Sequence, residues 1–161
     1  MFWREIIQFM PIKFLQLFAG LIAVFLISSG CSFNSPEHDF FSLSSNEMKQ
    51  KFSEYPLEDQ YRLFRYGNDE LEPPYTELAD QIAKQGDKAV PFLSSKLKNE
   101  TEELGIRDIV LIFEMMAYYT SYNVNEDQLL MGLMSSKVAT MTTWKSVAVN
   151  MLDRIKSHKR K

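Results

Sequence analysis

The segment 105–121 constrains the fold most, because it is apolar on nearly every side. A narrow polar line, formed by Arg107, Glu114 and Ser121, runs along it. A helix that is apolar nearly all round is stable when other elements enclose it. The segment is therefore predicted to be a central helix, around which the remainder of the domain folds.

Amphipathic helices are predicted on both sides of this central helix. In each of them apolar side chains recur every three or four residues, which places them on one face. The end signals include Pro56 before one helix, Gly67 and Gly86 after two others, and Asn46 and Asn125 as caps. The sequence therefore predicts an all-α domain, with further helices over 46–53, 57–66, 75–85, 88–97, a segment following residue 125, and 142–156.

Residues 86–97, GDKAVPFLSSKL, resemble the second helix of a HEAT-type repeat. The shared points are the Gly-Asp turn, the small–apolar–proline trio that ends at Pro91, and the leucine spacing. The resemblance covers one repeat, 75–99, and implies a short stack of antiparallel helix pairs. An irregular helical bundle is the alternative. LMSSKV at 133–138 repeats three residues of FLSSKL at 92–97 with an offset of 41, so internal duplication and coincidence both stay open.

The N-terminal segment 14–27 is apolar except for Gln16. As a helix its fourteen residues would rise about 21 Å, which is short for a bilayer core of about 30 Å. Arg4 and Lys13 precede it and supply positive charge. This pattern is typical of a signal peptide, whose apolar region is shorter than a membrane span.

Small residues then lead to Cys31, the only cysteine of the chain, in the sequence ISSGC. A lone cysteine forms no internal disulfide, so in an exported chain it needs another explanation. The motif resembles the lipobox of bacterial lipoproteins, although Ser28 stands where an aliphatic residue is usual. The resemblance implies a signal peptide over 1–30, a diacylglycerol on the Cys31 thiol, and acylation (for example palmitate) of the new amine. Ordinary signal-peptidase cleavage after Gly30 and an uncleaved anchor are the alternatives.

Lipidation would hold the chain at a bilayer surface outside the cytoplasm, since two or more acyl chains anchor a protein stably. Ser32, which follows the cysteine, resembles the outer-membrane-sorted class of enteric lipoproteins. The resemblance therefore implies the cell envelope, and in a diderm bacterium the outer membrane facing the periplasm. The serine-rich residues 31–45 are predicted to be the lipidated cysteine and a flexible tether, and residues 46–161 a single helical domain.

The net charge and the absence of common sequence motifs argue against several classes of function. Without residues 1–30 the chain has 16 basic and 20 acidic residues, a net charge of −4 that argues against a nucleic-acid partner. No common nucleotide, zinc or serine-hydrolase motif occurs, and the two histidines, His38 and His158, are far apart in sequence. No metal site, cofactor or catalytic residue is predicted.

The sequence therefore favours a membrane-anchored binding or scaffold module with a protein partner. Its binding surface is predicted at an aromatic patch formed by Tyr61, Tyr66 and Tyr75, or on the concave side of the helix pairs. Tyrosine is common at interfaces because its ring is apolar and its hydroxyl polar.

Two other classes remain open. A carboxylate-based hydrolase of the envelope would use Glu114, which is instead expected on a solvated stripe or paired with Arg107. An inhibitor or immunity-type protein would present an acidic patch opposite the tether, around Asp69, Glu70 and Glu72.

Overall fold

The computed structural model describes residues 36–158. Every secondary-structure element in this range is a helix, which confirms the all-α prediction. A short 3₁₀ turn, Gly86–Lys88, lies between the fourth and fifth α-helices. The α-helices in chain order are α1 Pro36–Phe41, α2 Ser45–Glu54, α3 Leu57–Asp69, α4 Glu77–Ala83, α5 Val90–Asn99, α6 Glu103–Tyr119, α7 Gln128–Ala139 and α8 Lys145–Ser157.

Helix α6 is the centre of the domain, as its apolar sequence predicts. It packs most extensively against α4 and α8 and also contacts α3, α5 and α7. Ile109 and Phe113 lie on it and are fully buried. Burial of side chains of this size contributes about 1.5–3 kcal/mol each, so the core of the domain is concentrated on this helix.

The helices from α4 onward alternate between two rows. Helices α4, α6 and α8 lie side by side, while α5 packs against α7. Alternation of this kind is how successive helix pairs pack in a stack. The two copies of the SSK sequence, in α5 and α7, belong to helices that pack directly on each other.

The structure differs from the flexible tether predicted over 31–45. Residues 36–41 form α1, and Phe40 is only 1% exposed, with its ring centroid 6.1 Å from that of Phe52 and 6.2 Å from that of Tyr55. A helix this short shows no sequence period, so only its paired aromatic residues indicated that it belongs to the core. Residues 31–35 lie outside the described residues.

Two helix starts are capped by residues other than those predicted. Ser44, not Asn46, caps α2: the Glu47 backbone N–H donates to Ser44 Oγ, and the Ser44 backbone N–H donates to Glu47 Oε2 at 3.1 Å. Asp127, not Asn125, caps α7 by accepting from the Leu130 backbone N–H at 2.9 Å. Both errors arise because several residues that cap helices well stand close together in the sequence.

A long-range contact sets the start of α8. The carboxylate of Glu103, in the first turn of α6, accepts hydrogen bonds from the backbone N–H groups of Thr142, Thr143 and Trp144 at 2.6, 2.9 and 3.0 Å. Hydrogen bonds from Thr142 and from these backbone groups lower the pKa of Glu103 to about 2. Glu103 therefore fixes the approach to α8, which begins three residues later than predicted.

Candidate functional site

An aromatic cleft lies between α1, α3 and the loop before α4. The Phe41 ring stacks on Tyr66 at a centroid distance of 5.8 Å and meets Tyr75 edge-on at 5.0 Å. The cleft has a volume of about 300 Å³, and its lining residues are His38, Phe41, Ser42, Tyr66, Leu71, Glu72 and Tyr75. We refer to it as the aromatic cleft. Its volume is at the lower end of the range for small-ligand sites.

Gly67 permits this arrangement. A Cβ atom at position 67 would lie 2.5 Å from the Phe41 ring and 3.1 Å from the Cβ atom of Tyr75. The Tyr75 backbone N–H also donates to the Gly67 carbonyl oxygen at 3.0 Å. The glycine was predicted to end its helix, but α3 continues to Asp69, and the missing side chain instead lets Phe41 approach the helix backbone.

The structure brings two of the three predicted tyrosines together and separates the third. Tyr66 and Tyr75 are partly buried on either side of Phe41. Tyr61 is buried, with its ring 5.8 Å from Phe92, and burial raises the pKa of its hydroxyl. Five residues along a helix correspond to a rotation of about 140°, so Tyr61 and Tyr66 point to different sides of α3.

A buried ionic cluster holds α3 against α6. The Arg65 Nε atom donates to Asp69 Oδ2 at 2.8 Å, and Arg107 Nη2 donates to Asp69 Oδ1 at 2.9 Å. Asp108, which is fully buried, accepts from Arg107 at 2.6 Å and from Asn68 Nδ2 at 2.8 Å. We refer to these five residues as the ionic cluster. Arg65 also forms an ion pair with Glu100, between Nη1 and Oε2 at 3.4 Å.

Asp108 is the most enclosed member of the ionic cluster. Its Oδ1 atom accepts the hydrogen bonds, whereas Oδ2 has no hydrogen-bond donor and lies 3.1 Å from Arg65 Nε, which donates to Asp69. Burial raises the pKa of Asp108 to about 7, although the charge of Arg107 and its hydrogen bonds act in the opposite direction. Asp108 is thus enclosed between Arg65, Arg107 and Asn68, where α3 meets α6.

The ionic cluster is not among the sites predicted from the sequence. Asp108 interrupts an apolar segment beside Arg107, and a charge at such a position requires a buried partner. Arg65 and Asp69 are four residues apart on α3, a spacing at which side chains on a helix meet. Those two patterns were the available signals, but the register that brings α3 onto α6 is not visible in the sequence.

Glu114 does not lie on a solvated stripe, and it does not pair with Arg107, so both expectations were wrong. It is 4% exposed and forms a two-pronged ion pair with Arg154 of α8, with Arg154 Nη2 donating to Glu114 Oε2 at 2.9 Å. Of the predicted polar line, Glu114 faces α8, whereas Arg107 faces α3. Glu114 thus joins two helices of the same row.

The three acidic residues of the proposed inhibitor patch are also separated in role. Asp69 belongs to the ionic cluster, and Glu72 lines the aromatic cleft beside α1. Glu70 is exposed. Asp69 is therefore held within the fold, whereas Glu70 and Glu72 are both exposed.

Cys31 lies outside the described residues. Among residues 36–158 no group of His, Cys, Asp or Glu side chains is arranged to hold a metal ion. In the same range no helix has the length and apolar character needed to span a bilayer.

No family model, curated protein or solved structure matches the chain.

Proposed function

We propose that the chain is a bacterial lipoprotein, anchored through acylated Cys31 at the cell envelope, whose helical domain binds a partner protein at the aromatic cleft. The apolar segment 14–27, the small residues that follow it and the sole cysteine support the anchor. The observation that carries the binding role is the position of the cleft on α1, the first described helix after that cysteine.

The distance between anchor and cleft is short in this proposal. Helix α1 begins at Pro36, five residues after Cys31. Five residues span at most about 17–18 Å when fully extended. An acylated Cys31 would therefore keep the aromatic cleft near the bilayer, where a partner in the same membrane is at high effective concentration.

The chemistry of the aromatic cleft suits a protein segment. Phe41 and Leu71 offer apolar surface, while the Tyr66 and Tyr75 rings combine apolar faces with hydroxyl groups. Tyr and Phe are enriched at the centres of protein interfaces, because each contributes a large contact area with few rotatable bonds. An apolar or aromatic side chain of the partner would insert beside Phe41.

Two measurements test the proposal. Metabolic labelling with a palmitate analogue is expected to mark the chain, and Cys31→Ala is expected to abolish the label. Crosslinking pull-down from native membranes is then expected to recover a specific partner, with recovery reduced in the Tyr66→Ala/Tyr75→Ala variant. Tyr118→Ala removes an exposed tyrosine on α6 and is the matched control.

An unlabelled wild-type chain would contradict the anchor. Equal recovery from the cleft variant and from the control would contradict binding at the aromatic cleft.

A further inference from the structure

A second cleft, of about 430 Å³, lies where the end of α2 meets the start of α3 and the end of α4. Its size is sufficient for a few residues of an extended peptide. It differs from the aromatic cleft in its polar lining, of which the residues that matter are Tyr55, Gln60, Gln81, Lys84, Gln85 and Lys88. We refer to it as the glutamine–lysine cleft.

Two of the three side-chain amides of this cleft, those of Gln60 and Gln85, are held in place within the domain. Gln60 is 95% buried, its Nε2 donates to the Tyr55 carbonyl oxygen at 2.8 Å, and its Oε1 accepts from Gln85 Nε2 at 2.7 Å. Gln81 is one helical turn before Gln85 on the same cleft wall. A side-chain amide offers one acceptor and two donors, which match the N–H and C=O groups of a peptide backbone.

The charge of the glutamine–lysine cleft is positive. Lys84 and Lys88 line it, no carboxylate does, and neither lysine forms an ion pair within residues 36–158. By contrast Lys96, elsewhere on the surface, pairs with Glu58 at 2.6 Å. Lys84 Nζ also lies 5.9 Å from the centroid of the Tyr119 ring, a contact that leaves its charge unneutralised. The two ammonium groups beside the paired amides of Gln60 and Gln85 attract anions, on a chain that is acidic overall.

We propose that the glutamine–lysine cleft binds an acidic peptide segment of the partner protein. Gln81 and Gln85 bind the backbone of the segment, and Lys84 and Lys88 bind its carboxylate side chains. This inference rests on the proposed function in taking the partner to be a protein, but it uses a different cleft and requires no lipid.

The test is a titration of the purified full-length chain, in non-ionic detergent, with a hexaglutamate peptide blocked at both ends. Nuclear magnetic resonance of side-chain amides is expected to show saturable shifts at Gln60, Gln81 and Gln85. Lys84→Glu/Lys88→Glu is expected to weaken binding by about tenfold or more, because it reverses both charges that face the peptide.

Lys51→Glu/Lys98→Glu is the matched control, since it makes the same change in net charge at two exposed lysines outside the cleft. Its affinity is expected to stay within about twofold of the unaltered chain. Gln81→Leu, which changes no charge, is expected to weaken the peptide severalfold.

Three results would overturn the inference. The first is an absence of amide shifts on addition of the peptide, and the second is an equal loss of affinity in both double variants. The third is saturation of the same amide shifts by inorganic phosphate with an affinity equal to that of the peptide. Tyr66→Ala/Tyr75→Ala is expected to leave this titration unchanged, so a failure of the aromatic cleft and a failure of the glutamine–lysine cleft are told apart.

Discussion

Helix α3 takes part in two groups of side chains that use their chemistry in opposite ways. Toward α6, Arg65, Asn68 and Asp69 satisfy their charges and amides within the ionic cluster. Toward α1, Gly67 lets Phe41 approach α3, and Tyr66 lines an open aromatic cleft whose rings are only partly covered. The first group forms its ion pairs and hydrogen bonds inside the fold, whereas the second leaves ring surface partly exposed to solvent. The densest group of charges in this region therefore holds two helices together.

Asp108→Ala is expected to have the largest effect on stability. It removes the oxygen that accepts hydrogen bonds from Asn68 and from the Arg107 guanidinium. A buried donor left without its acceptor costs about 1–3 kcal/mol, and more when the donor is charged. Denaturant unfolding would measure the change. Glu102→Ala is the control, because Glu102 is 76% exposed and 3.8 Å from Arg65, and it is expected to cost less than about 0.5 kcal/mol. Similar losses in both variants would contradict an internal structural role for Asp108.

Gly67→Ala tests whether the aromatic cleft depends on the close approach of Phe41 to α3. The added Cβ would meet the Phe41 ring at 2.5 Å, so the ring must shift, at a cost of about 1–3 kcal/mol. The expected result is a less stable chain with weaker partner recovery in the pull-down.

Gly132→Ala is a matched control inside helix α7, where a Cβ meets nothing within 4 Å. It is expected to stabilise the chain by up to about 1 kcal/mol, since alanine favours helix more than glycine does. A neutral Gly67→Ala would show that Phe41 does not depend on close approach to α3.

The ionic cluster also predicts a pH dependence. Burial raises the pKa of Asp108 from 3.8 to about 7, so the folded state binds this proton more tightly than the unfolded state. Its contribution to the free energy of unfolding is complete below pH 3.8 and is lost as the pH rises through 7. Urea unfolding between pH 5 and 8 is expected to show a decline in stability that Asp108→Asn lacks. A constant difference between the two chains over this range would contradict the raised pKa.

Glu103 gives the opposite pH dependence, because its contribution to stability is lost as the pH falls. Hydrogen bonds lower the pKa of Glu103 to about 2, so the stability it contributes is present above its ordinary pKa of 4.5 and is lost as the pH falls toward 2. Glu103→Gln is expected to flatten this acid loss by a small amount, because the carboxylate is at the surface. Acid unfolding followed by circular dichroism would measure it, and an unchanged acid midpoint would show that Glu103 does not secure the start of α8.

The sequence predicted the helices better than the contacts between them. Helical period and an almost fully apolar segment located α6 to within two residues, because these are local properties of the chain. The start of α8 and the partner of Glu114 could not be predicted in the same way, since Glu103 and Arg154 act across about forty residues. Within the candidate site, Tyr66 and Tyr75 were found from composition, whereas Phe41 was assigned to the tether because α1 is too short to show a period.

Photocrosslinking in living cells, with p-benzoylphenylalanine in place of Tyr75, tests partner binding at the aromatic cleft most directly. The expected result is one discrete crosslinked product, which is lost when Cys31→Ala releases the chain from the membrane. The same probe in place of Val149, an exposed position on α8, is expected to give no such product. A product of equal yield from both positions, or none from position 75 in a lipidated chain, would contradict partner binding at the aromatic cleft.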